Sequence, residues 1–447
     1  MENAARRPVR EAPRGVGGLL RNIGPGVVVS GSVVGSGELL VTTRMGAEVG
    51  FVFLWGVILA CLVKFFIQLE LGRQCVLHNS TTIQVLDRVP GVRLSNTSWA
   101  AWLCVLGYFS VMIAVIGILG SVAGLMVTLL PGVPYNFWAI LVFAAISILL
   151  YRGLYADLER MITILVAGFS LVVIGSVIAM QATPYAVGGA EVLSGLRFAL
   201  PADGAFVAMA VMGSVGATAV ELFMYPYWVR EKGYADFVGP REDTPEWRAR
   251  YRGWMRVLKT DALVCTGIAL VITCAYYLLG ASILKKLNVV PQGMEVVEQV
   301  SLIFTLSIGT WTKNVFMFGA FCTLFSTLLV FTASSGRISV DFLRQTGVAG
   351  LDNEAVRLRL LRSLQIAFPF LWLCVTIATP DTPLALVLIG ANANNLLLIP
   401  MAYGVVHLAM RAMDAERMSV WTELALLLTV WAIVNFTAVN LYLNWTR

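Results

Sequence analysis

Residues 31–39 read Gly31-Ser32-Val33-Val34-Gly35-Ser36-Gly37-Glu38-Leu39, and residues 213–222 read Gly213-Ser214-Val215-Gly216-Ala217-Thr218-Ala219-Val220-Glu221-Leu222. With a one-residue gap, both run Gly-Ser-Val, then small residues, then Glu-Leu. Each stretch lies in the middle of an apolar run, so each is predicted to be a bilayer-spanning helix with glycines at its centre. Glycine inside a helix costs about 0.5–1 kcal/mol relative to alanine, so Gly31, Gly35 and Gly37 weaken one stretch of the first span. Where a helix unwinds in lipid, its freed backbone groups need protein, water or a solute as partners. Matching interruptions in two parts of one chain are the sequence sign of a secondary transporter built on an inverted repeat.

The remainder of the chain supplies the membrane spans. Of 447 residues, 58% are hydrophobic and 13% charged, and the mean hydropathy is +0.80. A soluble chain is about 45–50% apolar and about 25% charged, so too little polar surface is present to cover a water-facing globule. The same figures exclude disorder, collagen, coiled coil and a small disulfide-built fold. Runs long enough to span, about 20 residues each, fall at 24–43, 50–71, 99–127, 135–151, 160–181, 203–227, 260–281, 311–335, 364–379, 384–408 and 420–443. The expected fold is therefore an all-α membrane protein of eleven transmembrane helices, with helices one and six broken. Seven cysteines form no CxxC pair and sit mostly in apolar runs, where free Cys packs as a small hydrophobe. With His78 and His407 as the two histidines, no zinc or haem site built on His is expected, and no cofactor.

Lys and Arg set the orientation. With these spans, 25 basic residues fall on the side of the N-terminus and 6 on the opposite side, with Lys64 inside span two. The positive-inside rule then places the N-terminus in the cytoplasm and the C-terminus outside, in a plasma (inner) membrane. Basic residues sorted by loop in this way mark a lipid bilayer as the partner rather than nucleic acid. Residues 1–22 are a basic cytoplasmic tail. Residues 73–98 contain a membrane-skimming helix around Thr81–Leu86, residues 228–259 form a solvated cytoplasmic loop, and Glu70 and Arg73 face the headgroups.

A carboxylate at mid-membrane costs at least about 2.5–3.5 kcal/mol on insertion scales. Glu38 and Glu221 occupy matching places in the two interrupted helices, and with the backbone near Gly35 and Ala217 they are the candidate substrate-binding set. Lys64, in Leu62-Val63-Lys64-Phe65-Phe66, needs a neutralising partner, for which Glu38 and Glu221 are at hand. It is either a structural ion pair or a built-in cation in place of a coupling ion. In span ten Asn392, Asn394 and Asn395 offer amide oxygens for a hard cation or a polar solute, or hydrogen bonds between helices. Asn394 joins the binding set, with Asn392 and Thr42 as secondary candidates. Thr332, Ser334 and Ser335 are expected to bond back to their own helix.

These residues resemble the Nramp family (natural resistance-associated macrophage protein) of divalent-metal transporters over about 20–410. The carrying pieces are Gly24-Pro25-Gly26-Val27, Leu71-Gly72-Arg73 with Thr81-Thr82, Tyr155-Ala156-Asp157-Leu158-Glu159-Arg160, Leu200-Pro201 with Gly216-Ala217-Thr218, and Leu398-Ile399-Pro400. The resemblance implies the five-plus-five inverted repeat of the amino acid–polyamine–organocation superfamily, here 23–181 and 203–410, with 411–447 holding helix eleven. The chain departs from the family at the site itself. Where the family has Asp-Pro-Gly-Asn, this chain has Gly35-Ser36-Gly37-Glu38, and where it has Met-Pro-His, this chain has Val220-Glu221-Leu222. The soft thioether ligand and the titratable His are absent, and helix three reads Val111-Met112-Ile113-Ala114-Val115 where proton-coupled members carry acidic residues.

The function expected is secondary transport of a divalent metal cation of the Mn²⁺/Fe²⁺/Mg²⁺ class by alternating access, as a symporter. The alternative keeps the scaffold and carries a small organic solute, with Lys64 replacing a coupling cation. A membrane sensor ranks below both because no signalling domain is expected after span eleven, and an enzyme because no nucleophile and base with His or Cys stand at a useful spacing. The oligomeric state is open.

Overall fold

The computed structural model describes residues 8–25, 35–152, 155–201, 204–292, 296–411 and 420–445. Gly31 and the rest of 26–34 lie outside the described residues. The chain is mostly helical. In order the elements are α1 (Gly15–Asn22), a π-helical turn (Gly37–Thr42) continuing into α2 (Thr43–Val49), α3 (Leu54–His78) and α4 (Thr82–Leu86). A small antiparallel pair follows, β1 (Arg93–Leu94) and β2 (Thr97–Ser98), then α5 (Trp99–Leu129), α6 (Tyr135–Tyr151), α7 (Tyr155–Met180) and α8 (Gly189–Ser194). The second part holds α9 (Ala205–Ser214), α10 (Ala219–Lys232), α11 (Tyr234–Val238), and α12 (Pro245–Leu279), which runs on into a π-helical turn at Gly280–Leu284. Last come α13 (Val296–Ser307), α14 (Thr312–Gln345), α15 (Glu354–Ala378), α16 (Pro383–Met410) and α17 (Val420–Trp445).

Among the described residues, 8 helical stretches are long and apolar enough to cross a membrane, and Tyr135–Tyr151, Val166–Met180 and Val297–Ser307 are shorter apolar helices. Large apolar side chains such as Leu171, Ile178, Leu428 and Trp431 stand on the outer surface, as expected of a lipid-facing wall. The core is a crossing of α5, α16 and α9 at small residues. A Cβ on Gly390 would meet the Ala114 backbone, and one on Gly213 would collide with the Ala391 carbonyl. Without a hydrophobic drive between helices in lipid, such backbone approach is what gives close dispersion packing.

Two expectations need correction. Residues 228–259 are largely helix rather than solvated loop: α10 reaches Lys232, α11 follows, and α12 starts at Pro245. Thr244 caps α12 by accepting the Trp247 N–H at 3.2 Å, Pro245 takes the first turn, and Trp247, Tyr251 and Trp254 are buried. Charge count alone hid an amphipathic face whose aromatics point inward. Glu70 and Arg73 do not face headgroups. They are fully buried on α3 as a two-pronged pair, with Arg73 Nε donating to Glu70 Oε2 at 2.7 Å and Gln74 Nε2 to Glu70 Oε1 at 2.8 Å. Ahead of α1, Arg10 N–H donates to the Phe237 carbonyl (3.0 Å), and Trp254 Nε1 donates to the Arg10 carbonyl (2.9 Å).

Removing one member of a buried ion pair strands the other and costs about 3–5 kcal/mol. Glu70→Ala should therefore lower the thermal stability of the detergent-purified protein sharply. Surface pairs such as Arg93–Asp87, with the arginine half exposed, should cost about 1 kcal/mol or less when broken. Melting followed by size-exclusion chromatography measures both.

Candidate substrate site

The helix formed by α9 stops at Ser214, in the middle of the protein. Val215 is extended (φ −98°, ψ 153°), Gly216 has φ +64°, and Thr218 (φ −68°, ψ 170°) opens α10. Gly216 is required there on two counts: its left-handed φ, and the Cys61 Cα that a Cβ would crowd. The expected interruption of the sixth span is thus present and buried.

The first turn of α10 is held by its own acid. Glu221 accepts the Thr218 N–H at 3.0 Å and also the Thr218 hydroxyl, a capping box. Glu38 stands in the same relation to Gly35, whose N–H donates to Glu38 Oε2 at 3.2 Å. The parallel extends to the backbone, where Leu39 N–H donates to the Gly35 carbonyl (3.1 Å) and Leu222 N–H to the Thr218 carbonyl (2.9 Å). Glu38 reaches further: its Oε1 accepts the Gly216 N–H at 3.3 Å and the Thr273 hydroxyl at 3.2 Å. One carboxylate therefore ties its own helix start to the break at 215–218 and to α12.

Lys64, fully buried on α3, donates to the Val215 carbonyl at 2.5 Å. Among the described residues neither Glu38 nor Glu221 lies within ion-pair distance of it. The ammonium sits at the C-terminal end of α9, and the carboxylates sit at helix starts. Each charge faces the opposite pole of a helix dipole, an arrangement worth about 0.3–1 kcal/mol per group and up to about 2 when partly buried.

Beside the break lies a cavity of about 40 Å³ whose walls include Gly35, Ser214, Thr218, Glu221, Thr327 and Asn394. Asn394 is anchored by its Nδ2, which donates to the Gly213 carbonyl at 2.8 Å. Its Oδ1 and the Ser214 hydroxyl are buried and have no hydrogen-bond partner among the described residues. Among the described residues no three His, Cys, Asp or Glu side chains converge on a metal position. A cation here would meet one carboxylate and neutral oxygens.

Of the residues singled out from the sequence, Glu221, Gly35 and Asn394 line the cavity, while Glu38 and Ala217 are buried next to the break but not among its walls. Thr42 bonds back to the Gly37 carbonyl (3.2 Å), and Asn392 donates to Leu388 (2.9 Å) and Phe206 (3.3 Å) carbonyls. Thr332 and Ser335 bond back within α14 at 2.7 and 2.6 Å, as expected. Ser214, Thr218 and Thr327 were not anticipated as wall residues. Thr218 carried a signal, since Thr-x-x-Glu before an apolar run is the capping-box pattern, whereas Thr327 carried none.

Residues 26–446 match the family described as natural resistance-associated macrophage protein-like, Nramp. The chain belongs to the Nramp family. It is therefore a multi-pass membrane transporter of the metal-ion kind and not an enzyme. Among solved structures, the chain is similar to the Eremococcus coleocola manganese transporter in complex with an aromatic bis-isothiourea compound, at 15% identity over 98% of this chain and 90% of that one, with a TM-score of 0.63. It is also similar to MhsT bound to L-phenylalanine, at 13% identity, 97% and 99% coverage and a TM-score of 0.58. A third likeness is to closed Mhp1, a nucleobase-cation-symport-1 transporter, at 13% identity, 99% and 96% coverage and a TM-score of 0.56. At these identities the likeness concerns the fold. No curated protein matches the sequence of this Nramp chain.

Gly216→Ala puts an L-residue into left-handed backbone, at about 1–2 kcal/mol, and pushes Cys61. The expected result is a lower melting temperature together with loss of substrate binding, while Gly175→Ala, at a position with open space around it, should leave both intact. Thermal unfolding with and without substrate checks this.

Proposed function

We propose that this Nramp protein carries a divalent metal cation across the membrane by alternating access, with the substrate held between Glu221, Asn394 Oδ1, the Ser214 and Thr218 hydroxyls and the backbone at Gly35. The observation that carries the reading is the pair of buried oxygens without a partner among the described residues, Asn394 Oδ1 and Ser214 Oγ, on residues that line one cavity with Glu221. A buried polar oxygen without a partner costs about 1–3 kcal/mol, and a bound cation removes that cost. Carboxylate, amide and hydroxyl oxygens are hard donors that suit Mg²⁺ or Mn²⁺ better than softer metals. Glu38 acts on the cation at longer range and holds the break in shape. The manganese transport named for the Eremococcus coleocola relative agrees with this chemistry.

An organic solute is the second reading, favoured by the Lys64 ammonium seated on the Val215 carbonyl. The donor set weighs against it: the cavity wall offers one carboxylate, Glu221, with neutral amide and hydroxyl oxygens, which is the chemistry of a cation site. The surrounding architecture we propose is eleven spans in two inverted five-helix units, 23–181 and 203–410, followed by helix eleven in 411–447. The distribution of 25 basic residues against 6 supports a cytoplasmic N-terminus and an external C-terminus in the plasma (inner) membrane.

In proteoliposomes loaded with a metal-sensitive dye, Glu221→Gln should cut Mn²⁺ or Mg²⁺ uptake at least about tenfold, equivalent to about 1.4 kcal/mol, and Asn394→Ala should weaken it in the same direction. Unchanged uptake in the double variant Glu38→Gln/Glu221→Gln overturns the site. Isothermal titration against metals, amino acids and organic acids separates the two cargo classes.

A further inference from the structure

Lys64 has no task in the metal site described above, yet its burial is complete. An ammonium carries three N–H donors, and among the described residues one acceptor receives it, the Val215 carbonyl. That carbonyl belongs to Val215, the capping residue just past the end of α9. The last carbonyls of a helix lack intrahelical partners and carry the negative pole of its dipole. Here two of the carbonyls at this end have side-chain donors: Gly213 O accepts Asn394 Nδ2 and Val215 O accepts Lys64, while Ser214 O packs closely on Gly37. Carbonyls at the unwound end of a half-helix are the groups with which transporters of this architecture hold a monovalent co-ion. In this chain a positive charge already stands there, covalently attached to α3.

Resting on the metal-transport reading, we propose that Lys64 is a tethered cation that fills the monovalent co-ion position at the C-terminal end of α9, so that the divalent substrate moves without sodium or potassium. The tether explains why the ammonium is not paired directly with either acid. A co-ion's work is to neutralise the carbonyl end of α9 and to lower the negative charge of Glu38 and Glu221, and a charge on Val215 does both from a distance. Because the tethered charge cannot cross the membrane, it supplies the electrostatic balance of a co-ion and none of its driving force. Lys64 is thus a specificity-determining residue for coupling, and it shares a helix end with the substrate wall through the adjacent Asn394–Gly213 bond.

Lys64→Ala removes the charge and opens the space. Melting is followed without metal in sodium, potassium and N-methylglucamine chloride, and Mn²⁺ uptake is followed in the same salts. Wild type should be indifferent to the monovalent ion in both measurements. K64A should gain about 3 °C in sodium or potassium over N-methylglucamine, and its uptake should rise at least about tenfold. Lys64→Met, neutral but filling the space, should not respond to salt. A K64A protein that stays indifferent, or a wild type that itself needs sodium or potassium, overturns the inference. If K64A does not fold, Lys64→Ser, neutral and short, carries the same comparison. Should wild type move no metal in any salt, the cargo reading fails, and the metal-free melting comparison still decides the role of Lys64.

Discussion

The interruption between α9 and α10 is the constraint around which the rest is arranged. Four residues of non-helical backbone, 215–218, lie deep in a protein whose outer wall is lipid-facing, where an unsatisfied backbone group costs several kcal/mol. The partners come from four elements: Lys64 from α3 donates to the Val215 carbonyl and Asn394 from α16 to the Gly213 carbonyl, while Glu38 and Glu221 accept the Gly216 and Thr218 N–H groups. The charged residues that looked most expensive in the sequence are thus the groups that make a broken helix tolerable. What they leave unsatisfied, an amide oxygen and a hydroxyl beside Glu221, is what a substrate can complete.

Glu38 occupies a special position in this network. It bonds the start of its own helix, the Gly216 amide and Thr273 on α12. Any motion that parts these helices during transport has to exchange those three bonds for others. The scaffold around them is rigid for a different reason: α5, α9 and α16 meet at glycines and alanines whose backbones touch, and such contacts have little room to yield.

Much of the candidate site was legible from residue type and spacing. Glu38, Glu221, Lys64 and Asn394 stood out because a charge or an amide in an apolar run demands a partner, and the structure gathers all four around one break. Which of them faces the cavity was not legible. Glu38 and Glu221 occupy matching places in sequence, yet Glu221 lines the space and Glu38 is spent on three donors, a difference set by what packs opposite each. For Lys64 the charge alone points to an ion pair with Glu38 or Glu221 or to a built-in cation, and the Val215 carbonyl that receives it leaves no mark in the sequence. The pair Glu70–Arg73 was misplaced for the converse reason: its position near a span end suggested headgroups, and only the helices packed around α3 reveal its burial.

The sequence by itself determined the class of molecule and the place of its weak points, since hydropathy over 20-residue windows and glycine next to glutamate are local properties. It also determined membership in the Nramp family across almost the whole chain. Tertiary structure decided what each polar group is for. Whether a buried carboxylate caps a helix, bridges two elements or waits for a cation depends on donors brought from residues about 180 and 235 positions away, as the Glu38 bonds to Gly216 and Thr273 show. Those distances along the chain are bridged only by packing, which no local pattern encodes.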